Sequence, residues 1–147
     1  MARKKYGNQL PTQSVILPYV KKRSLSKEAI EIYEKTGLSS YIWQKKLLEA
    51  MMAVDKKGLW VHQKFGYSVP RRNGKSELLY MLELWGLHQG LNILHTAHRI
   101  NTSHSSFEKV KRYLEKMGYV DGEDFTSIRA KGQERIDLKN TEGVLQF

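Results

Sequence analysis

A Gly-Lys-Ser triplet at positions 74–76 is the feature that most constrains the fold of this chain. The segment before it, residues 59–67, is rich in aromatic and branched side chains and predicts a strand. Residues 76–89 place apolar side chains at helical spacing and end at Gly90, so they predict a helix. A loop that joins a strand to a helix and closes with this triplet is typical of phosphate-binding sites.

The triplet supplies the three groups that a phosphate-binding loop requires. Gly74 lets backbone N–H groups point into a concavity, Lys75 reaches the β- and γ-phosphates, and the Ser76 hydroxyl holds Mg²⁺. The usual pattern has a glycine five residues before Gly74, whereas this chain has Val69 there, followed by Pro70. The alternative interpretation is a basic turn that merely joins a strand to a helix.

Two arginines, Arg71 and Arg72, lie just before Asn73. A guanidinium group built into such a loop can place a planar cation beside the γ-phosphate, as arginine fingers do in nucleotide hydrolysis. Either arginine is a candidate for this role.

The octapeptide at positions 69–76, Val-Pro-Arg-Arg-Asn-Gly-Lys-Ser, resembles the variant phosphate loop of phage large terminase subunits, the ATPases that drive DNA into viral capsids. Downstream, the resemblance includes Phe107 at an aromatic position of the family and extends over residues 38–147. The loop is its most specific part. The other stretches that resemble the family, in the expected order, are residues 41–44, 92–97 and 103–117.

The resemblance implies an ATP site with Mg²⁺. Asn73 and Gly74 would shape the loop and offer N–H donors, and Ser76 would be the metal ligand that acts with the nucleotide. The residues implied to bind the nucleotide are Trp43, Gln44, Val69, Pro70, Arg71, Arg72, Asn73, Gly74, Lys75 and Ser76. Those implied in catalysis are Arg71, Arg72 and Lys75.

Trp43 and Gln44 resemble the pair that contacts adenine in this family, with the aromatic against the base and the glutamine at its edge. Trp43 also belongs to an apolar stripe in a helix predicted over residues 40–55. A core position is therefore the alternative role for this side chain.

ATP hydrolysis in this class of fold also needs an acidic pair at the end of a core strand. No apolar run of this chain ends in Asp-Glu, and the acidic cluster at 121–124 is predicted to be a loop. The resemblance implies that the acidic strand and a nuclease domain lie beyond Phe147. We therefore expect a partial ATPase domain over residues 25–147, preceded by a basic arm at 1–24.

The order strand, helix, strand, helix predicts an α/β fold of the P-loop NTPase type, with a parallel sheet flanked by helices and joined by right-handed crossovers. Short apolar runs after Phe125 predict hairpin strands near the C-terminus. Beyond the elements already given, the spacing predicts helices over residues 26–35 and 103–117 and a strand over residues 91–96.

The chain has 25 Lys and Arg against 15 Asp and Glu, a net charge of +10, which favours a polyanionic partner. Absence of cysteine excludes disulfides and thiolate chemistry. His95 and His98 straddle a strand end, which favours a core or solvated role over a metal site. The composition and the lack of a long apolar run predict a soluble intracellular protein without membrane contact. The basic clusters are residues 3–5, 21–23, 45–46 and 56–57.

Three functions remain open at this point. The resemblance implies packaging of double-stranded DNA in the host cytoplasm, with a small terminase subunit, a portal and a homo-oligomeric ring as partners. A helicase-like P-loop ATPase shares the loop and differs in the domain that follows. A non-catalytic basic DNA-binding module, in which Gly-Lys-Ser is incidental, predicts DNA affinity that is insensitive to ATP.

Overall fold

The structure of the chain is a computed structural model, and it describes residues 10–130 and 133–147. Contacts divide these residues into two compact units. The first unit contains residues 10–27 and Ser40–Ser68, and the second contains Glu28–Ser39 and Val69–Phe147. The basic cluster at residues 3–5 lies outside the described residues.

The first unit is built on helix α2, Ile42–Met51, and a small antiparallel ladder. Ser24 bridges Ala53, and Val54 bridges Trp60. The predicted helix over 40–55 is too long at its C-terminus, because Ala53 and Val54 leave the helix to make these backbone pairs. The core of the first unit contains the fully buried Leu48, Met52 and Ala53.

The strand predicted over residues 59–67 is wrong. Only Trp60 makes a bridge there, and Val61 N–H adds one bond, of 2.9 Å, to the Ala53 carbonyl. A strand is stable when a partner satisfies its backbone groups along its length. Gly66 and the polar residues Gln63 and Lys64 interrupt the apolar pattern, and the first unit supplies a partner only to the start of the run.

The second unit contains two of the four described α-helices and most of a third. Helix α1 spans Ser26–Glu34, and its residues from Glu28 onward belong to this unit. The turn after the helix reaches Gly37, which has left-handed backbone with φ 81°. Helix α3 spans Lys75–His88 and α4 spans Ile100–Lys116. Thus α3 and α4 confirm the predicted helices, although α4 begins three residues earlier than expected.

A four-stranded mixed sheet completes the second unit, in the order β1, β4, β3, β2. Strand β1 runs parallel to β4, with Asn92 opposite Val144 and Leu94 opposite Gln146. The other two pairings are antiparallel. The strands are β1 Asn92–Leu94, β2 Phe125–Ile128, β3 Arg135–Leu138 and β4 Gly143–Gln146.

The α/β class and the C-terminal hairpin strands are therefore confirmed, whereas the expected parallel sheet is corrected to a mixed one. Short connections can join only antiparallel neighbours, so β2, β3 and β4 pair as a meander. Strand β1 pairs in parallel with β4. Helix α4 and strands β2 and β3 lie between these two strands in the chain.

Helix α3 is buried on most sides and packs on the sheet through two glycines. A β-carbon on Gly86 would lie 2.6 Å from Ile93 Cδ1, and one on Gly143 would lie 2.1 Å from the Leu87 carbonyl oxygen. These contacts bring the helix backbone directly against β1 and β4. Within residues 10–130 and 133–147, no helix has the length and apolar character that crossing a membrane requires.

Candidate phosphate-binding site

The site is built on residues 69–76, called the basic loop from here on. Its chain direction changes at two positions with left-handed backbone, Arg72 at φ 64° and Gly74 at φ 75°. Glycine adopts this conformation freely, but for arginine it costs about 1 kcal/mol or more. Such strain concentrates at sites where backbone groups are held in place for a ligand.

Asn73 closes the loop on itself. Its amide Nδ2 donates a hydrogen bond of 3.3 Å to the Pro70 carbonyl and lies 3.5 Å from the Arg71 carbonyl. The Asn73 side chain therefore bridges the loop internally.

The basic loop borders a cavity of about 280 Å³. The side chains of Arg71, Arg72, Lys75 and Ser76 are exposed there. Three cations and a hydroxyl thus surround one cavity, together with a single carboxylate from Glu77. The lining residues are Val69, Pro70, Arg71, Arg72, Gly74, Lys75, Ser76 and Glu77.

Helix α3 begins at Lys75, so its first turn opens at the cavity. The first N–H groups of a helix have no intrahelical partner, and the helix dipole makes this end positive. Gly74 is the N-cap residue and provides no side chain that would occupy those groups. The cations and the helix terminus together favour an anion such as phosphate.

The basic loop lies on the carboxyl-end side of the parallel pair β1 and β4. Along α3 toward its start, Gly86 contacts Ile93 and Glu83 then contacts His95, so α3 runs antiparallel to β1. Lys75 is eight residues before Glu83, about 12 Å farther along the helix axis. Ligands of α/β sheets commonly bind on this side.

Glu77, in the first turn of α3, is a site residue that the sequence analysis missed. Tyr33 of α1 and Tyr113 of α4 both donate hydrogen bonds to its Oε2, at 2.7 and 2.6 Å. Lys109 Nζ lies 4.0 Å from its Oε1. Burial, together with the hydrogen bond to this carboxylate, raises the pKa of the Tyr113 phenol well above its usual range.

These contacts attach the first turn of α3 to two other helices. No local signal could have identified the cluster, because Tyr33 and Tyr113 are 44 and 36 residues from Glu77 in the chain. The only indication in the sequence is an acidic residue next to Ser76, near the positive end of a helix.

His95 follows β1 directly and forms a buried pair with Glu83. Its Nδ1 lies 2.5 Å from Glu83 Oε1, and both side chains are 8% exposed. The hydrogen bond to Glu83 raises the pKa of His95 despite the opposing effect of burial. The ring also lies 5.2 Å, centroid to centroid, from Phe147. Of the core and solvated roles that the sequence leaves open for His95, the structure shows a side chain packed in the core.

Trp43 and Gln44 lie on α2 in the first unit. Trp43 is half-buried, and Gln44 is buried with its Oε1 accepting a 2.7 Å hydrogen bond from the Tyr41 N–H. That bond caps the start of α2. The contact of these two residues with adenine stays a prediction.

The acidic cluster at 121–124 forms a turn, as predicted. Asp121 accepts hydrogen bonds from Lys111 and Ser127, and Asp124 accepts one from the Val120 N–H. These carboxylates therefore hold the loop between α4 and β2. In the part of the chain that the structure describes, no three metal-binding side chains are grouped around one point.

No protein-family model, curated protein or solved structure matches this chain.

Proposed function

We propose that the second unit binds ATP with Mg²⁺ through the basic loop, as the nucleotide-binding part of an ATPase that packages double-stranded DNA. One observation carries the proposal. The cavity at the start of α3 combines three cationic side chains, a hydroxyl and the N-terminus of a 14-residue helix. This set matches the needs of a triphosphate and its metal.

Each residue has a distinct role in this proposal. Lys75 holds the β- and γ-phosphates, and the first N–H groups of α3 bind phosphate oxygens. Arg71 or Arg72 stabilises charge on the γ-phosphate as water displaces ADP. Ser76 and the phosphates would hold Mg²⁺, which would supply positive charge beside the phosphates.

Water activation requires a carboxylate that is free to accept a proton. Glu77 is the only carboxylate that borders the cavity among the described residues, and two phenols and Lys109 engage it. We assign Glu77 to loop support rather than to water activation.

DNA packaging is the ATPase activity that the resemblance favours. Its support is the octapeptide at 69–76, the order of the other similar stretches, and the net charge of +10. A small terminase subunit, a portal and a homo-oligomeric ring belong to the same proposal, as does a viral location in the host cytoplasm.

The first experiment is a titration of fluorescent ATP with Mg²⁺ into the protein and into Lys75→Ala. We expect saturable binding that the substitution weakens by about 10- to 100-fold, since a hydrogen bond to a charged group contributes about 1.5–3 kcal/mol. Lys116→Ala, which removes an exposed lysine from the far end of α4, is the matched control and should bind normally.

Equal affinity in Lys75→Ala and in the unaltered protein would overturn the proposal. DNA affinity without any ATP binding would then favour the non-catalytic DNA-binding module.

A further inference from the structure

Positive charge is divided very unequally between the two units. In the described residues, the first unit has nine Lys and Arg against two Asp and Glu, a net charge of +7. The second unit has 12 against 13, a net charge of −1. The cationic loop is therefore balanced by carboxylates elsewhere in its own unit, whereas the first unit keeps a large excess.

The two carboxylates of the first unit are already occupied. Glu49 accepts a hydrogen bond of 2.9 Å from the Tyr19 hydroxyl and lies 3.7 Å from Lys21 Nζ. Asp55 accepts hydrogen bonds from the backbone N–H groups of Lys57 and Leu59. Five exposed lysines have no carboxylate partner among the described residues: Lys22, Lys46, Lys56, Lys57 and Lys64.

The small ladder brings two basic clusters onto one structural element. Backbone bonds connect Arg23 to Val54 and Leu25 to Met52, so the turn at Lys21–Arg23 lies beside the end of α2. The next ladder pair, Val54 with Trp60, forms the stem of a tight turn that carries Lys56 and Lys57.

An exposed apolar pair lies beside this second cluster. Leu59 is 62% exposed and Trp60 is 42% exposed, immediately after the turn that carries Lys56 and Lys57. Lysines beside exposed apolar side chains suit the phosphates and sugars of a nucleic acid backbone. An acidic membrane surface would instead favour an amphipathic helix with an apolar face, and these groups lie on a turn and a ladder.

We propose that the first unit binds the phosphodiester backbone of duplex DNA through the ladder that carries residues 21–23 and 56–57, none of which belongs to the basic loop. The proposed packaging function supplies only the choice of duplex DNA, since the charge partition itself calls for a polyanion. Lysines that contact phosphates release counterions, so this binding weakens steeply as salt concentration rises.

The test is fluorescence anisotropy of a labelled DNA duplex without nucleotide, over a range of salt concentrations. Lys56→Ala with Lys57→Ala should lower the slope of log affinity against log salt by about 1.8, and should weaken binding about 10-fold or more at 0.1 M salt. Arg112→Ala with Lys116→Ala removes two exposed charges from the second unit and should change affinity less than about 2-fold.

Lys21→Ala with Lys22→Ala provides a second pair on the proposed surface, away from the tight turn, and should reproduce the loss. Equal losses in the first-unit and second-unit pairs would overturn the proposal, as would binding to acidic lipid vesicles but not to DNA. Lys75→Ala should leave DNA affinity unchanged, and the first-unit variants should leave ATP affinity unchanged. Failure of the DNA surface is thereby distinguished from failure of the ATP site.

Discussion

At the scale of single residues, the Glu77 carboxylate next to the basic loop contacts two phenols as well as a lysine. Glu77 receives two phenol hydrogen bonds to the same oxygen, and the rings of Tyr33 and Tyr113 meet edge to face at 5.8 Å. Lys109 lies over the Tyr113 ring at 5.1 Å. The first turn of α3 is therefore held by groups from α1 and α4 before any ligand binds.

Removal of one of these phenols should be costly. Tyr113→Phe keeps the ring and loses a hydrogen bond to a charged group, so the free energy of unfolding should fall by about 2 kcal/mol. Tyr119→Phe is the control, because it loses a 3.0 Å bond to His88 rather than one to a carboxylate, and about 1 kcal/mol is expected. Urea unfolding measures both, and equal losses would contradict this account of Glu77.

The His95 and Glu83 pair predicts a pH dependence of stability. The folded-state pKa of His95 is raised above the ordinary value of 6.5. The stabilisation by the pair is therefore complete below pH 6.5 and is lost as pH rises through the folded-state pKa of His95. Deprotonation leaves Glu83, whose Oε2 has no partner among the described residues, without its counter-charge. The free energy of unfolding should therefore fall above pH 6.5, by no more than about 1.4 kcal/mol per pH unit.

The measurement is urea unfolding at several pH values between 6 and 9. His95→Gln should remove this part of the pH dependence. His98→Gln, which changes an exposed imidazole three residues farther on, should retain it. An unchanged pH profile in His95→Gln would show that the pair does not carry the effect.

At the scale of elements, α3 packs so closely on the sheet that the contact positions Gly86 and Gly143 have no room for a β-carbon. Gly143 begins β4 beneath the Leu87 carbonyl, which also accepts a 2.6 Å hydrogen bond from the Thr141 hydroxyl. The Val144 N–H bonds to the Leu91 carbonyl at 2.9 Å. Backbone contacts thus connect the end of α3 with the turn before β4 and with the start of β1. A shift in one of these segments therefore requires a shift in the others.

Gly143→Ala should consequently lower the free energy of unfolding by more than about 2 kcal/mol, because a β-carbon 2.1 Å from a carbonyl oxygen forces the backbone to move. Gly66→Ala is the matched control, since nothing lies within 4 Å of its β-carbon position. Its expected effect is below about 0.5 kcal/mol. Thermal or urea unfolding checks both, and similar behaviour of the two variants would show that α3 and β4 pack less tightly.

At the scale of the whole molecule, the charge partition distinguishes the two kinds of anion binding that we propose. A compact triphosphate needs a few donors fixed at one point, which a loop in a nearly neutral unit can provide. An extended polyanion responds to excess charge over a wide surface, which the first unit carries. In the described residues, the excess positive charge therefore belongs to the first unit rather than to the unit that contains the basic loop.

The local features of this protein followed from its sequence. Periodic apolar residues predicted α3 and α4, and short apolar runs predicted β2 to β4, because each of these signals lies within a few neighbouring positions. The same local logic produced the wrong strand at 59–67, since an apolar run cannot reveal whether a partner strand is present.

Tertiary structure alone decided the features that join distant parts of the chain. It placed β4 beside β1, brought Tyr33 and Tyr113 to Glu77, and paired Glu83 with His95. It also gathered most of the excess positive charge into one unit made of two separate segments. These pairings depend on which surfaces meet when the chain becomes compact. The spacing of residues along the sequence does not show which distant surfaces will meet.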